Sequence, residues 1–191
     1  MIGGKTTRAE LAAIVQRALA TLDDEPVLVG GAVVSIYSEG RWVSDDLDFV
    51  TWRSQKRIRP LMEELGFASR GSWWVHPDTE LLVQFVNPPV MVGNKHVRAP
   101  ARLRTREGDV AILSPLDCVL DRLAWHLERG DAQTLAQAID VARAKSVPLA
   151  EIEAWLTGES APPDRKELLL ETLRRQLPTR RPPRRTRRDR I

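Results

Sequence analysis

The chain has 191 residues, 42% of them hydrophobic, with 29 lysines and arginines against 26 aspartates and glutamates, for a net charge of +3. That length suits one domain, or a compact domain with a helical extension. No apolar run approaches the roughly 18 residues of a membrane span, the first residues lack the order of a signal peptide, and the single cysteine, Cys118, rules out an internal disulfide and a cysteine-based zinc cluster.

These features predict a soluble cytoplasmic protein with no membrane partner. The charge is unevenly placed. Residues 178–191 hold seven arginines and one aspartate, a net +6, which leaves −3 for the rest of the chain. A segment of Arg and Pro with almost nothing to bury is expected to be disordered. It is either an anchor for RNA phosphates or a solubilising tail.

Residues 6–22 read as a helix, with Glu10 three residues after Thr7 as in a capping box. Leu11, Ile14, Val15, Ala18, Leu19 and Leu22 form its apolar stripe. Val27-Leu28-Val29 is a short strand ending on Gly30-Gly31. Ala32 to Tyr37 make about two helical turns, and Ser38-Glu39-Gly40 a turn. Asp46-Leu47-Asp48-Phe49-Val50 is a second strand. Side chains alternate on a strand, so Asp46 and Asp48 share a face, roughly 7 Å apart at Cα. Two carboxylates beside a glycine pair at a helix start suit a divalent cation holding a polyphosphate. Magnesium takes one or two carboxylates plus substrate phosphates, and glycines let backbone N–H groups approach an anion.

This stretch resembles the nucleotidyltransferase superfamily: an apolar strand, Gly30-Gly31, a short helix, then Asp46-x-Asp48 on the next strand. Ser44 stands where toxin-type transferases of abortive-infection systems carry Ser or Thr. The resemblance implies an α+β fold, a small mixed sheet flanked by helices and followed by a helical C-terminal part. It implies an NTP substrate, Mg2+ or Mn2+ on Asp46 and Asp48 as catalytic and metal residues, and nucleotide contacts from Gly30, Gly31 and Ser44.

After the second strand a helix is expected from about Arg57 to Leu65, because Pro60 is tolerated only in a first turn. Phe67–Arg70 and Trp73–Val75 read as an extended segment or hairpin. One of the paired tryptophans belongs in the core, and the other is a rim residue or a base-stacking one. Leu81–Val86 is a strand on which the family places a third carboxylate. The matching residue is Gln84, which is no base, and Glu80 on the same face lies about 13 Å along the strand. His96–Leu103 and Val110–Leu113 are expected as edge strands. The intervening basic residues fit a solvated edge better than a nucleic-acid groove.

Ser114 opens the helical part, with Pro115 at its first position. Four helices are expected: Pro115 to Arg129, Asp131 to Lys145, Leu149 to Leu156 and Asp164 to Leu177, the last burying Leu168, Leu169 and Leu173. Ser114, Pro115, Asp117, Arg122, Leu123, Arg129 and Asp131 follow a pattern of the toxin-type transferases, with Arg122 in place of a lysine. That places Arg122 on the triphosphate; otherwise it is a solvated surface residue, since no acid lies one turn away. His126 reads as structural. The expected organisation is residues 1–113 as an α/β core, 114–177 as a helical subdomain and 178–191 as the tail. The function favoured is metal-dependent transfer of a nucleotidyl group to RNA, a protein or a small molecule. The alternative is a catalytically impaired binding module: an antitoxin, a nucleotide sensor or an RNA adaptor, with a partner from a toxin–antitoxin pair.

Overall fold

The structure is a computed structural model in which residues 2–97 and 99–177 are described. The predicted tail, 178–191, and Arg98 lie outside the described residues. The chain folds as α1 (Arg8–Ala20), β1 (Val27–Val29), α2 (Gly30–Tyr37), β2 (Asp46–Val50), α3 (Gln55–Glu64), β3 (Ala68–Arg70), β4 (Trp73–His76) and β5 (Thr79–Val86). There follow β6 (Met91–Val92), β7 (Lys95–His96), β8 (Ala101–Thr105), β9 (Gly108–Ile112), α4 (Pro115–Arg129), α5 (Ala132–Lys145), α6 (Leu149–Gly158) and α7 (Pro163–Gln176). The fold is α+β. Seven strands form one sheet in the order β3-β4-β5-β2-β1-β9-β8, while β6 and β7 pair separately. The sheet is mixed, with β2 parallel to β5 and β1 parallel to β9.

Alternation sorts the central strands. Leu47 and Phe49 of β2, Leu81, Val83 and Phe85 of β5 and Trp74 of β4 are buried on the core face. The Phe49 and Phe85 rings lie 5.9 Å apart. The opposite face keeps Asp46, Asp48, Gln84 and Trp73 half-buried. Helix α1 covers the β9 side of the sheet and is capped as expected: Thr7 Oγ1 accepts from Glu10 N, and Glu10 Oε2 accepts from Thr7 N at 3.0 Å. Its Gln16 is buried and satisfied by β9, since its Nε2 donates to Ala111 O at 2.7 Å and its Oε1 accepts from Ala111 N at 2.8 Å.

Several expectations need correction. Helix α2 starts at Gly30, so the glycines are its first turn rather than a preceding loop. Helix α3 starts at Gln55, which puts Pro60 inside it rather than in its first turn. The proline has no N–H for the carbonyl of Lys56, a loss close enough to the helix start for tertiary packing of Ile58 and Met62 to outweigh it. His96–Leu103 is not one strand, because Lys95 and His96 close a small hairpin with Met91 and Val92 and only β8 joins the main sheet. β9 is not an edge, being paired on both sides. Leu168 is 63% exposed, and α7 buries Leu169 and Leu173.

Helix α4 is closed at both ends. Ser114 Oγ accepts from Asp117 N at 3.0 Å, and Gly130 ends the helix in a left-handed conformation at φ 72°. His126 is structural, its Nδ1 lying 2.8 Å from Asp131 O. Cys118 is buried and its thiol is pushed up by that burial, so it behaves as a small core residue. No helix among the described residues is long and apolar enough to cross a membrane.

Candidate functional site

β1, α2 and β2 bring the glycines to the carboxylates. β1 and β2 are antiparallel with Val29 opposite Asp48, so the residue after Val29 turns into α2 directly over the Asp48 side chain. Gly30 adopts φ +73°, a conformation that disfavours any side chain. A Cβ there would lie 2.6 Å from Asp48 Oδ2. A Cβ on Gly31 would lie 2.7 Å from Ser44 Oγ. A side chain at either position would push Asp48 or Ser44 aside, and at Gly30 the backbone conformation disfavours one as well. Helix α2 has no side-chain cap: Val29 precedes it and offers no acceptor to its first N–H groups. Those donors meet the partial positive charge of a helix start, beside Asp48 and Ser44.

The segment between α2 and β2 is held from both sides. Arg8 on α1 donates from Nε to Ser44 O and from Nη2 to Asp45 Oδ1 at 2.7 Å. Asp140 on α5 accepts from Trp42 Nε1 at 3.0 Å and from Arg41 Nη1 at 3.2 Å. Ser44 Oγ lies 3.4 Å from Asp46 N. Neither Arg8 nor Asp140 was legible as a site residue, because their partners are 37 and 98 residues away in sequence. Arg8→Ala should loosen this segment, costing about 1 kcal/mol of stability through an ion pair that solvent still reaches. It should also raise protease sensitivity between Gly40 and Ser44, as limited proteolysis would show.

Asp46 and Asp48 share the open face of β2, as alternation requires. Burial raises the Asp48 carboxyl above its ordinary range, the Asp46 carboxylate adds to the rise, and the Arg122 guanidinium opposes it. Arg122 thus stands near enough to act electrostatically on Asp48. It is not a solvated surface arginine: its side chain is 15% exposed and held by Asp121, whose Oδ2 accepts from Arg122 Nε at 3.0 Å and from Nη2. The partner is its immediate neighbour, not a residue one turn away. Beyond it on α4, the Arg129 guanidinium lies 3.9 Å from the centre of the Trp125 ring.

In the parallel pairing of β2 with β5, Asp48 is opposite Gln84 and Asp46 opposite Leu82. The residue expected at the third-carboxylate position is therefore an amide, and it lies beside Asp48. Glu80 is exposed, two residues before the Leu82 that pairs with Asp46. Among the described residues, no three His, Cys, Asp or Glu side chains converge on a point. The donor set that remains, two carboxylates on one face, still fits a magnesium ion that completes its shell with phosphate and water. Two half-buried like charges with no ion-pair partner among the described residues are also what a cation would relieve. The space left by the missing Gly30 Cβ adjoins the same carboxylate.

Three basic residues of the stretch from β7 to β8 have partners of their own. Lys95 Nζ bonds Asp117 Oδ1 at 3.0 Å, Arg102 pairs with Glu25, and Arg104 lies 3.7 Å from Asp109. Arg102 and Arg104 stand on the exposed edge strand β8, where charge discourages further pairing.

Neither a family profile nor a curated protein matches the sequence. Solved structures do resemble the fold. An antigenic nucleotidyltransferase-like protein from Paracoccidioides brasiliensis is 12% identical, with 90% of this chain and 88% of that chain covered and a TM-score of 0.57. Looser likenesses are the antibiotic-resistance factor ANT(2'')-Ia in solution (14% identity, 89% and 92% covered, TM-score 0.45) and its crystal complex with adenylyl-2''-tobramycin (15%, 89% and 98%, 0.44). With its mixed sheet and helices, the chain has a nucleotidyltransferase-like fold.

Proposed function

We propose that this chain is a divalent-metal-dependent nucleotidyltransferase whose active site is the cleft over β2. The observation that carries this reading is the contact between the uncapped start of α2 and Asp48, with Gly30 giving up its side chain to allow it. A helix start without its own cap, a glycine pair and two adjacent carboxylates together serve an anion and a cation at once, which is what a metal-bound triphosphate presents. In this reading the N–H groups of Gly30 and Gly31 and the Ser44 hydroxyl hold the outer phosphates. Arg122, fixed by Asp121, supplies a standing positive charge. Asp46 and Asp48 would hold the metal, which neutralises charge on the transferring phosphoryl group when bound.

In the reaction, an acceptor hydroxyl oxygen bonds the α-phosphorus. The bond from that phosphorus to the bridging oxygen of the β-phosphate breaks, and pyrophosphate leaves with the electron pair. The hydroxyl proton passes to water, since Gln84 cannot take it. Positioning and electrostatics carry most of such a reaction. The proposed organisation is an α/β core to residue 113, with the helical part from 114 supplying Arg122.

Gln84 opposite Asp48 favours a second reading, a nucleotide-binding module without transfer. An antitoxin, a sensor or an RNA adaptor would use the fold in this way. Incubating the full chain with α-phosphate-labelled NTPs, magnesium and candidate RNA, protein and aminoglycoside acceptors separates the two. Transfer by the unaltered chain is expected, with Gln84→Glu faster by about tenfold or more as a carboxylate becomes available to take the proton. Transfer seen only with Gln84→Glu would establish the silent module instead.

A further inference from the structure

The pairing registers place five residues in one row across the open face of the sheet. Arg70 of β3 is opposite Trp73 of β4, Trp73 is opposite Gln84 of β5, Gln84 is opposite Asp48 of β2, and Asp48 is opposite Val29 of β1. Directly paired residues share a face. Trp74 points the other way and is buried with Val83 and Leu47, so of the two tryptophans Trp73 shares the face of Asp48 and Gln84. Its ring is half-buried, and its Cα lies about 10 Å from that of Asp48, two strand spacings away. Arg70 is exposed and has no carboxylate partner among the described residues.

The order along this row gives each side of the cleft a task. The phosphate cradle at Gly30 stands on the β1 side of Asp48, and Arg70 and Trp73 stand on the other. In an in-line displacement the leaving pyrophosphate and the attacking hydroxyl lie on opposite sides of the α-phosphorus. The β5-β4-β3 side is then where an acceptor enters. Beyond Gln84 that side presents the half-buried Trp73 indole and, next to it, the exposed Arg70 guanidinium. An indole stacks a flat ring without regard to its identity. A guanidinium binds phosphate through a planar fork. A polycationic amino sugar would be repelled there, and a peptide would leave one of the two groups unused.

We propose that Trp73 and Arg70 form the acceptor floor of the cleft, and that the acceptor is the hydroxyl-bearing end of a single-stranded nucleic acid. A terminal base stacks on Trp73, and the neighbouring phosphate sits on Arg70. This inference rests on the transferase reading above.

The test is an anisotropy titration of the full chain with a labelled short oligoadenylate RNA and its abasic counterpart, at one fixed salt concentration. Arginines elsewhere, including those of residues 178–191, bind both probes alike, so the preference for the base-bearing probe isolates the stack. The unaltered chain is expected to prefer that probe. Trp73→Ala should erase the preference with a loss of about five- to a hundredfold. Trp73→Phe should restore most of it, which separates a lost stack from a damaged fold. Arg70→Ala should weaken both probes together and, when the titration is repeated over a series of salt concentrations, flatten the salt dependence by about one phosphate contact. Equal binding of the two probes by the unaltered chain, or an unchanged preference in Trp73→Ala, would overturn the assignment. Magnesium-dependent NTP binding by the unaltered chain, measured alongside, reports on the parent reading by itself. If NTP binds and the base preference is absent, only the acceptor assignment fails.

Discussion

Asp48→Asn is expected to lower nucleotidyl transfer by roughly 10²–10³-fold or more while raising the melting temperature. The two effects have one cause. Burial and the neighbouring Asp46 both disfavour the ionised Asp48 carboxylate, and Arg122 offsets them only in part. A carboxyl whose folded-state pKa lies above its unfolded value binds more protons in the folded state. Its ionisation therefore costs stability as pH rises through that raised range. Asparagine removes the charge and the cost together. The same group is the one a cation would need. Magnesium should accordingly raise the melting temperature of the unaltered chain and leave that of Asp48→Asn unmoved. Thermal melts of both proteins with and without magnesium check this, and a destabilised Asp48→Asn would contradict the electrostatic account.

Gly30→Ala is the second large effect. At φ +73° a side chain costs about 1–2 kcal/mol, so the melting temperature should fall by about 2–8 °C. The new Cβ would also stand 2.6 Å from Asp48 Oδ2, and the carboxylate would have to turn away. Nucleotide binding should then drop more than stability alone accounts for. Gly71→Ala is the control. It carries a similar positive φ with no neighbouring atom and lies in the turn between β3 and β4, so it should cost comparable stability without touching the nucleotide contacts at Gly30 and Asp48. Urea titrations of the two variants beside their nucleotide affinities check the contrast.

The carboxylate pair and its glycines were readable because each depends on local periodicity. Alternation on a strand puts Asp46 and Asp48 on one face, and no distant partner is needed to see it. The same rule, once register is known, puts Gln84 beside Asp48. What was hidden depended on tertiary distance. Arg8 and Asp140 reach the Ser44 segment from helices far away in sequence. Asp121 was missed for another reason: neighbours on a helix point apart at Cβ, and only the long arginine side chain wraps back to close the pair. The span His96–Leu103 was misread because β propensity does not see the hairpin closing at Gly93, whose φ is +54°. The sequence also left undecided which tryptophan shares the face of the carboxylates. That answer needed the pairing of Trp73 with Gln84.

The most direct test of the transferase reading is calorimetric titration of the full chain with each nucleoside triphosphate, with and without magnesium, beside Asp46→Ala. The account predicts binding that requires both the metal and Asp46. Binding that survives the loss of either, or no binding of any triphosphate with magnesium present, would contradict it.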